Sequence, residues 1–132
     1  MLRVTSIAVA LLAIIFIRLS FAVIQLRRKN QVSLGSGGHE ELERAVRAHG
    51  NFAAYVAGGL LMIGCLELNG APWWVVALPA ASLTIGRLIH AKGIQESPPK
   101  FGLRILGMQL TFGTLGVLAA LNLAWTLYLA FA

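Results

Sequence analysis

The chain has 132 residues, of which 58% are hydrophobic and 12% are charged, with a mean hydropathy of +0.77. The charged fraction is about half that of an ordinary soluble domain, and four apolar stretches, each long enough to cross a bilayer, occupy nearly the whole sequence. This composition excludes a separate soluble domain, and the net charge of +6 lies beside the apolar stretches rather than on an independent basic face, which excludes a nucleic-acid-binding protein.

The first apolar stretch predicts an uncleaved membrane helix over residues 4–28. It is longer than the apolar part of a signal peptide, has no small-residue cleavage site before polar sequence, and ends in Arg27, Arg28 and Lys29. Arg18 lies inside the stretch, where an arginine either extends to the membrane interface or pairs inside a helix bundle. The sequence leaves both interpretations of Arg18 open.

Residues 30–39 contain three glycines and predict a flexible loop. A phosphate-binding loop of the Walker type would end in Gly-Lys-Ser or Gly-Lys-Thr after a strand, and that pattern is not present. A second helix is predicted over residues 40–68. Glu40 and Glu41 lie in its first turn, where negative charge suits the helix dipole.

Two further membrane helices are predicted, over residues 72–93 and 101–131. The third follows a tight turn, opens with two tryptophans suited to the membrane interface, and contains Pro79 as the expected site of a kink. Pro98 and Pro99 prevent a continuous helix between the third and fourth helices. The fourth helix is longer than a bilayer requires, so we expect it to tilt or to emerge from the membrane.

The distribution of basic residues predicts the orientation. The loop after the second helix has no lysine or arginine, whereas the loops after the first and third helices and their flanks carry Arg27, Arg28, Lys29, Lys92 and Lys100. The positive-inside rule therefore places those two loops in the cytoplasm and both termini on the opposite side, against the single contrary signal of Arg3.

Polar side chains mark one face of the second helix where it enters the membrane. Arg44, Arg47 and Asn51 are separated by steps of three and four residues, and Glu43 lies one turn before Arg47. No charged residue follows until Glu67, so this polar face must find partners where hydration is being lost. The face is the first candidate for a functional site.

The predicted cytoplasmic end of the bundle gathers polar residues from all four helices. They are Arg27, Arg28, Glu43, Arg44, Arg47, His49, Asn51, Arg87, His90 and Arg104. No carboxylate-rich or cysteine-rich set accompanies the two histidines, so no metal site is predicted. The single cysteine, Cys65, has no partner for an intrachain disulfide.

These residues resemble bacterial-type members of the MAPEG family, the membrane-associated proteins in eicosanoid and glutathione metabolism. The resemblance covers the whole length as a single transmembrane domain, residues 1–132. Its strongest part is the segment ERAVRAHGNFAAYVAGGLLMIGCLELNGAP, supported by GRLIHA near the end of the third helix and by an arginine that opens the fourth. It implies a homotrimer of four-helix protomers, with glutathione between neighbouring subunits near the cytoplasmic face and a lipophilic partner entering from the lipid bilayer.

The resemblance also implies roles for individual residues. Arg104, at the start of the fourth helix, matches the arginine that stabilises the glutathione thiolate and is the expected catalytic residue. Arginines bind the carboxylates of glutathione and Glu43 receives its positively charged amine. The expected glutathione-binding residues are Arg28, Glu43, Arg44, Arg47, His49, Asn51, Arg87 and His90.

Two positions depart from the family pattern. Many glutathione-using members carry Asn-x-x-Glu in the second helix, where this chain has Ala54, and a tyrosine two turns after the arginine of the third helix, where it has Ile94. Each departure removes a group that contacts glutathione.

Structural roles are an alternative for several residues. The basic run that ends the first helix sets topology, and Arg47, Asn51 and Arg87 alternatively form a purely structural polar network between helices. Four glycines are expected at close helix contacts: Gly58, Gly59, Gly113 and Gly116.

The sequence thus predicts a glutathione-dependent transferase or peroxidase of the bacterial inner membrane, acting on lipophilic electrophiles. The alternative is a non-catalytic lipid-binding or scaffolding protein of the same fold, which the residues Ala54 and Ile94 favour. A small multidrug exporter ranks last, because proton coupling needs a membrane-embedded carboxylate and the one candidate, Glu67, lies at a helix end.

Overall fold

The computed structural model describes residues 1–131 and contains four helices, each long and apolar enough to cross a membrane. The helices are α1 (Arg3–Asn30), α2 (Glu40–Leu68), α3 (Trp73–Gln95) and α4 (Phe101–Phe131). No strand occurs within residues 1–131. The prediction of an all-α chain with four membrane-spanning helices is confirmed.

The helices run alternately up and down. The two ends of the bundle differ in the residues that they carry. One end, here called the basic end, carries the connections 31–39 and 96–100. The other end carries the N-terminus, the turn between α2 and α3, and the end of α4. At that end the indole N–H of Trp125 donates to the backbone carbonyl of Asn69, 2.9 Å away.

The packed interior is narrow, and the outer surface is apolar. Leu12, Phe52, Ile63, Leu83 and Leu118, which represent all four helices, are each at most 1% exposed. Most of the remaining large apolar side chains face outward along the full length of the helices. A continuous apolar surface of this kind suits contact with lipid, since the backbone polar groups are satisfied inside the helices.

Glycines bring α3 and α4 into close contact at the basic end. A Cβ atom added to Gly107 would lie 2.6 Å from the backbone nitrogen of His90 and 2.7 Å from the carbonyl oxygen of Gly86. One added to Gly93 would lie 2.9 Å from the backbone nitrogen of Arg104. This contact places the last turns of α3 beside the first turns of α4.

The expected glycine contacts are only partly correct. Gly59 packs against Leu83, where an added Cβ would lie 2.5 Å from the leucine side chain. For Gly58, Gly113 and Gly116 the expectation is wrong within this chain, because nothing lies within 4 Å of an added Cβ. Consecutive helical residues point about 100° apart, so Gly58 faces outward when Gly59 faces the bundle.

We expect Gly107→Ala to destabilise the protein by about 1–3 kcal/mol, because the added methyl group meets backbone atoms of α3 that cannot move without separating the helices. Gly102→Ala is the matched control on the same helix, since its methyl group would meet nothing within 4 Å among the described residues. Thermal unfolding of both variants in one detergent measures the difference. Equal melting temperatures for the two variants would show that the close contact is not needed.

Glu67 is held at the end of the bundle opposite the basic end. Its carboxylate accepts hydrogen bonds from the backbone N–H groups of Val4 and Thr5, at 2.9 and 2.8 Å, and from the Thr5 hydroxyl at 2.6 Å. The residue before α1, Leu2, supplies no side-chain cap. Glu67 therefore caps the N-terminus of α1 and complements its dipole, a structural role for this carboxylate.

Candidate functional site

The basic end holds a polar cavity of about 410 Å³ where α2, α3 and α4 meet. We call it the arginine pocket, and define it by its lining residues: Arg44, Arg47, Gly50, Asn51, His90, Ile94, Pro99 and Arg104. Five of these were candidates in the sequence, and the fold brings them together from three helices. The volume lies within the range of cavities that bind small molecules.

The two pocket arginines of α2, Arg44 and Arg47, are paired only with exposed carboxylates. Arg44 lies 3.4 Å from Glu40 and Arg47 lies 2.7 Å from Glu43, in each case one turn earlier on the same helix. The side chains of Glu40 and Glu43 are 89% and 48% exposed. Exposed ion pairs between residues one helical turn apart contribute little to stability. Both arginines therefore remain available to an anion in the pocket.

Arg87 lies behind the pocket lining, and none of the ion pairs within residues 1–131 includes it. Its side chain is completely buried, and its Nη2 donates to Asn51 Oδ1 at 2.5 Å. Nη1 donates to the Thr111 hydroxyl at 3.4 Å, while Nε has no partner. The rings of Phe52 and Tyr55 lie 5.8 and 5.4 Å from the guanidinium carbon. A buried cation is thus balanced by neutral groups alone.

The same arrangement determines which groups face a ligand. Arginine only donates hydrogen bonds, so Asn51 Oδ1 is an acceptor and its amide NH₂ remains to donate. Similarly, Nδ1 of His90 lies 3.4 Å from Arg87 Nη2 and accepts, which leaves Nε2–H as the free group of the ring. The polar side chains that line the pocket therefore present donors.

Arg104 completes the pocket from the first turn of α4. Its guanidinium carbon lies 5.6 Å from the Phe101 ring, and its Nε is buried without a partner. Arg44 and Arg87 also have a buried, unpartnered Nε. No Asp or Glu lines the pocket among the described residues. This excess of positive charge can bind an anion and stabilise negative charge that develops there.

Besides Arg87, three predicted site residues lie outside the pocket lining. His49 faces α1, where its ring stacks on Phe16 and its Nε2 lies 3.1 Å from the Ser20 hydroxyl. The reason is geometric: His49 is two residues from both Arg47 and Asn51, about 200° around the helix. The other two, Arg28 and Glu43, are exposed, and Glu43 reaches the site only through Arg47.

Thr111 was not among the site residues predicted from the sequence, although it contacts Arg87. This residue is fully buried, accepts from Arg87, and donates to the Gly107 carbonyl oxygen at 2.7 Å. Its position supplies a usable signal: Arg104, Gly107 and Thr111 follow one another by three and four residues, which places them on one face of α4.

The two departures from the family pattern lie in different places. Ile94 is buried and lines the arginine pocket, so an apolar side chain occupies part of its wall. Ala54 is exposed on the outer surface of α2, outside the lining. Within residues 1–131, no group of three His, Cys, Asp or Glu side chains is arranged to hold a metal ion.

Comparison with known proteins identifies relatives across nearly the whole chain. The model of the MAPEG family matches residues 5–124, a range that includes parts of all four helices. Two proteins named inner membrane protein YecN, from Escherichia coli strains K12 and O6:H1, are each 33% identical over 120 residues. Each alignment covers 91% of this chain and 90% of the relative.

Proposed function

The chain belongs to the MAPEG family, and on that basis we propose that it binds glutathione in the arginine pocket and transfers it to lipophilic electrophiles. The family includes glutathione-dependent transferases. The observation that carries the proposal is the unbalanced positive charge at the basic end: three arginines from three helices each have a buried Nε without a partner. A site that presents only donors needs an anionic ligand.

Glutathione offers the groups that this pocket lacks. It carries two carboxylates, which Arg44 and Arg47 bind at the mouth while the Asn51 amide donates a further hydrogen bond. The exposed Glu43 lies beside Arg47 and receives the ammonium group of the ligand. The tripeptide is otherwise polar, so it enters from the aqueous side of the bundle, whereas the electrophile enters from the lipid.

Arg104 makes the thiol reactive in this proposal. A free thiol has a pKa near ~8.5, and a nearby arginine lowers it, so a larger fraction is the nucleophilic thiolate at neutral pH. The thiolate attacks the electrophilic carbon, a C–S bond forms, and the leaving group departs with its electron pair. Because Arg104 lines the pocket, its guanidinium has N–H groups to direct at the sulfur.

We further propose the setting in which the site operates. The name of the YecN relatives places those proteins in the inner membrane, and we assign this chain to the same membrane, with the basic end in the cytoplasm. Gly58, Gly113 and Gly116 have open space around them, which supports close packing between protomers of a homotrimer. Glutathione would then lie where neighbouring protomers meet.

A second candidate function is binding of a lipophilic anion without catalysis. Ile94 favours it, because this residue replaces a polar contact in the pocket wall with an apolar side chain. A ligand with one acidic group and an apolar body would use the arginines and Ile94 together, without any need for a thiol.

Calorimetric titration of glutathione into the detergent-purified protein near neutral pH tests the proposal. We expect wild type to bind with a Kd of about 1 mM or tighter, which corresponds to at least about 4 kcal/mol. Because Ala54 lies outside the pocket lining, Ala54→Glu should change Kd by less than about tenfold. Ile94→Tyr, which restores the family's residue inside the pocket, should strengthen binding.

The controls separate the two functions. S-Methylglutathione should bind without the absorbance change that accompanies thiolate formation, and an activated aryl halide should be conjugated only in the presence of glutathione. Binding by Ala54→Glu or Ile94→Tyr but not by wild type would mark a lost glutathione site and favour the second candidate. Failure of all three proteins to bind would contradict the glutathione proposal.

A further inference from the structure

A second polar site lies on the opposite side of α3 from the arginine pocket, in the groove between α1 and α3. At the basic end the groove contains a cavity of about 360 Å³, which we call the α1–α3 cavity. Its polar lining is Arg18, Lys92, Gln95 and Glu96, and its apolar lining includes Ile15 and Leu88. It shares no lining residue with the arginine pocket.

Arg18 is an unpaired cation at membrane depth. It precedes Arg27, near the basic end of α1, by nine residues, or about 14 Å along the helix. None of the ion pairs within residues 1–131 includes Arg18 or Lys92. The one acidic residue that lines the cavity, Glu96, is paired with Lys100 at 2.5 Å, and the two cations Arg18 and Lys92 outnumber it. The cavity therefore has a net positive charge.

The chain itself offers little negative charge to Arg18. The sequence has five acidic residues, and every one of them lies at or beyond a helix end. They are Glu40, Glu41, Glu43, Glu67 and Glu96. Glu96, the one carboxylate in the cavity, is paired with Lys100, whereas the bilayer carries phosphate groups at the helix ends, which the long side chain of Arg18 reaches along the groove.

The groove continues into an apolar channel that suits an acyl chain. A further cavity of about 290 Å³ follows between the same helices, lined mainly by small and aliphatic side chains such as Ala8, Leu11, Ala77 and Ala81. The two cavities are about one helical turn apart on both helices, from Leu11 to Ile15 on α1 and from Thr84 to Leu88 on α3. A cationic site with an apolar extension matches a phosphate attached to a hydrocarbon chain.

We propose that the α1–α3 groove binds a glycerophospholipid with a net negative charge. Its phosphate lies between Arg18 and Lys92, Gln95 donates to a headgroup oxygen, and one acyl chain follows the apolar channel towards the opposite end of the bundle. The Arg18 side chain then reaches its counter-ion at the membrane interface without entering the protein core. The site is independent of glutathione binding.

Native mass spectrometry of the protein released from bilayers tests this assignment. With phosphatidylglycerol and phosphatidylcholine of identical chains in equal amounts, wild type should retain phosphatidylglycerol preferentially. Arg18→Gln and Lys92→Gln should each lower the affinity for phosphatidylglycerol by about fivefold, the usual effect of one basic residue at a membrane surface. Glu96→Gln should raise it, because a repelling carboxylate is removed and Lys100 is released.

The control is Lys29→Gln, an exposed lysine at the same end of the bundle and outside the cavity. It should retain phosphatidylglycerol like wild type. The proposal is overturned if wild type shows no preference for phosphatidylglycerol, if Lys29→Gln and Arg18→Gln lose it equally, or if inorganic phosphate displaces the lipid. If a second copy of the chain covered the groove, wild type would show no preference for phosphatidylglycerol. If Arg18→Gln does not fold, the increase with Glu96→Gln still decides the question.

Discussion

Replacing Arg104 by alanine is expected to lower glutathione conjugation by about 100- to 1000-fold in kcat, the usual effect of removing one preorganised donor from a developing or bound negative charge. Binding of glutathione should weaken by less than about tenfold, because its carboxylates are held by the arginines of α2. The difference arises because Arg104 acts on the sulfur, whereas Arg44 and Arg47 act on the remainder of the ligand.

Two variants show whether the effect is local. Lys29→Ala removes one positive charge from an exposed residue at the same end of the bundle and should leave turnover within about twofold, because exposed charges are screened. Arg104→Lys keeps the charge but loses the guanidinium fork, and should recover part of the activity. If Arg104→Ala turns over like wild type, Arg104 is not the thiolate-stabilising group. Thiolate absorbance should decrease in parallel with turnover.

The fold was predictable because membrane-spanning helices give a strong hydropathy signal in the sequence. Long, mainly apolar runs define the four spans, and proline or glycine defines the turns between them, so the order of these residues along the chain predicts the architecture. α1 and α3 each extend two residues further at the basic end than the predicted 28 and 93, and they end at Asn30 and Gln95, polar residues that hydropathy assigns to loops. Helix ends are the least certain part of any such prediction.

The site was only partly predictable, because spacing places residues on a helix face but does not identify what that face meets. Arg44, Arg47 and Asn51 share a face in the sequence, and that face borders the pocket. His49 was grouped with them by its position along the helix, although its angular position directs it to α1. Similarly, spacing alone does not reveal which glycines meet a neighbouring helix, since Gly107 does and Gly113 does not.

The burial of Arg87 was also beyond the sequence. An arginine near the end of α3 is compatible with exposure to water, with an ion pair or with a ligand site. Only the packed structure places it at 0% exposure among neutral partners. Because Arg87 is buried among neutral partners, a structural network of Arg47, Asn51 and Arg87 and a ligand-binding role predict opposite effects of Arg87 on stability.

Arg87→Met should therefore raise the unfolding free energy of the ligand-free protein by about 1–4 kcal/mol, in the range found when buried charged groups are replaced by apolar side chains. Methionine fills a similar elongated volume and packs beside Met108, whose sulfur already lies 3.7 Å from Arg87. Glutathione affinity should decrease, because Asn51 loses the bond that directs its amide into the pocket. A residue that lowers the stability of the ligand-free protein and raises its affinity for the ligand is retained for ligand binding.

The comparison with Asn51→Leu makes this prediction decisive. That change removes the shortest hydrogen bond of Arg87 and leaves its guanidinium buried, so the melting temperature should decrease, by the equivalent of about 1.5–3 kcal/mol for a hydrogen bond to a charged group. Substitutions of the two partners of one hydrogen bond thus change stability in opposite directions if burial of the Arg87 charge costs free energy. If both variants melt below wild type by similar amounts, Arg87 and Asn51 form a structural network, and the positive charge behind the pocket has no need of an anion.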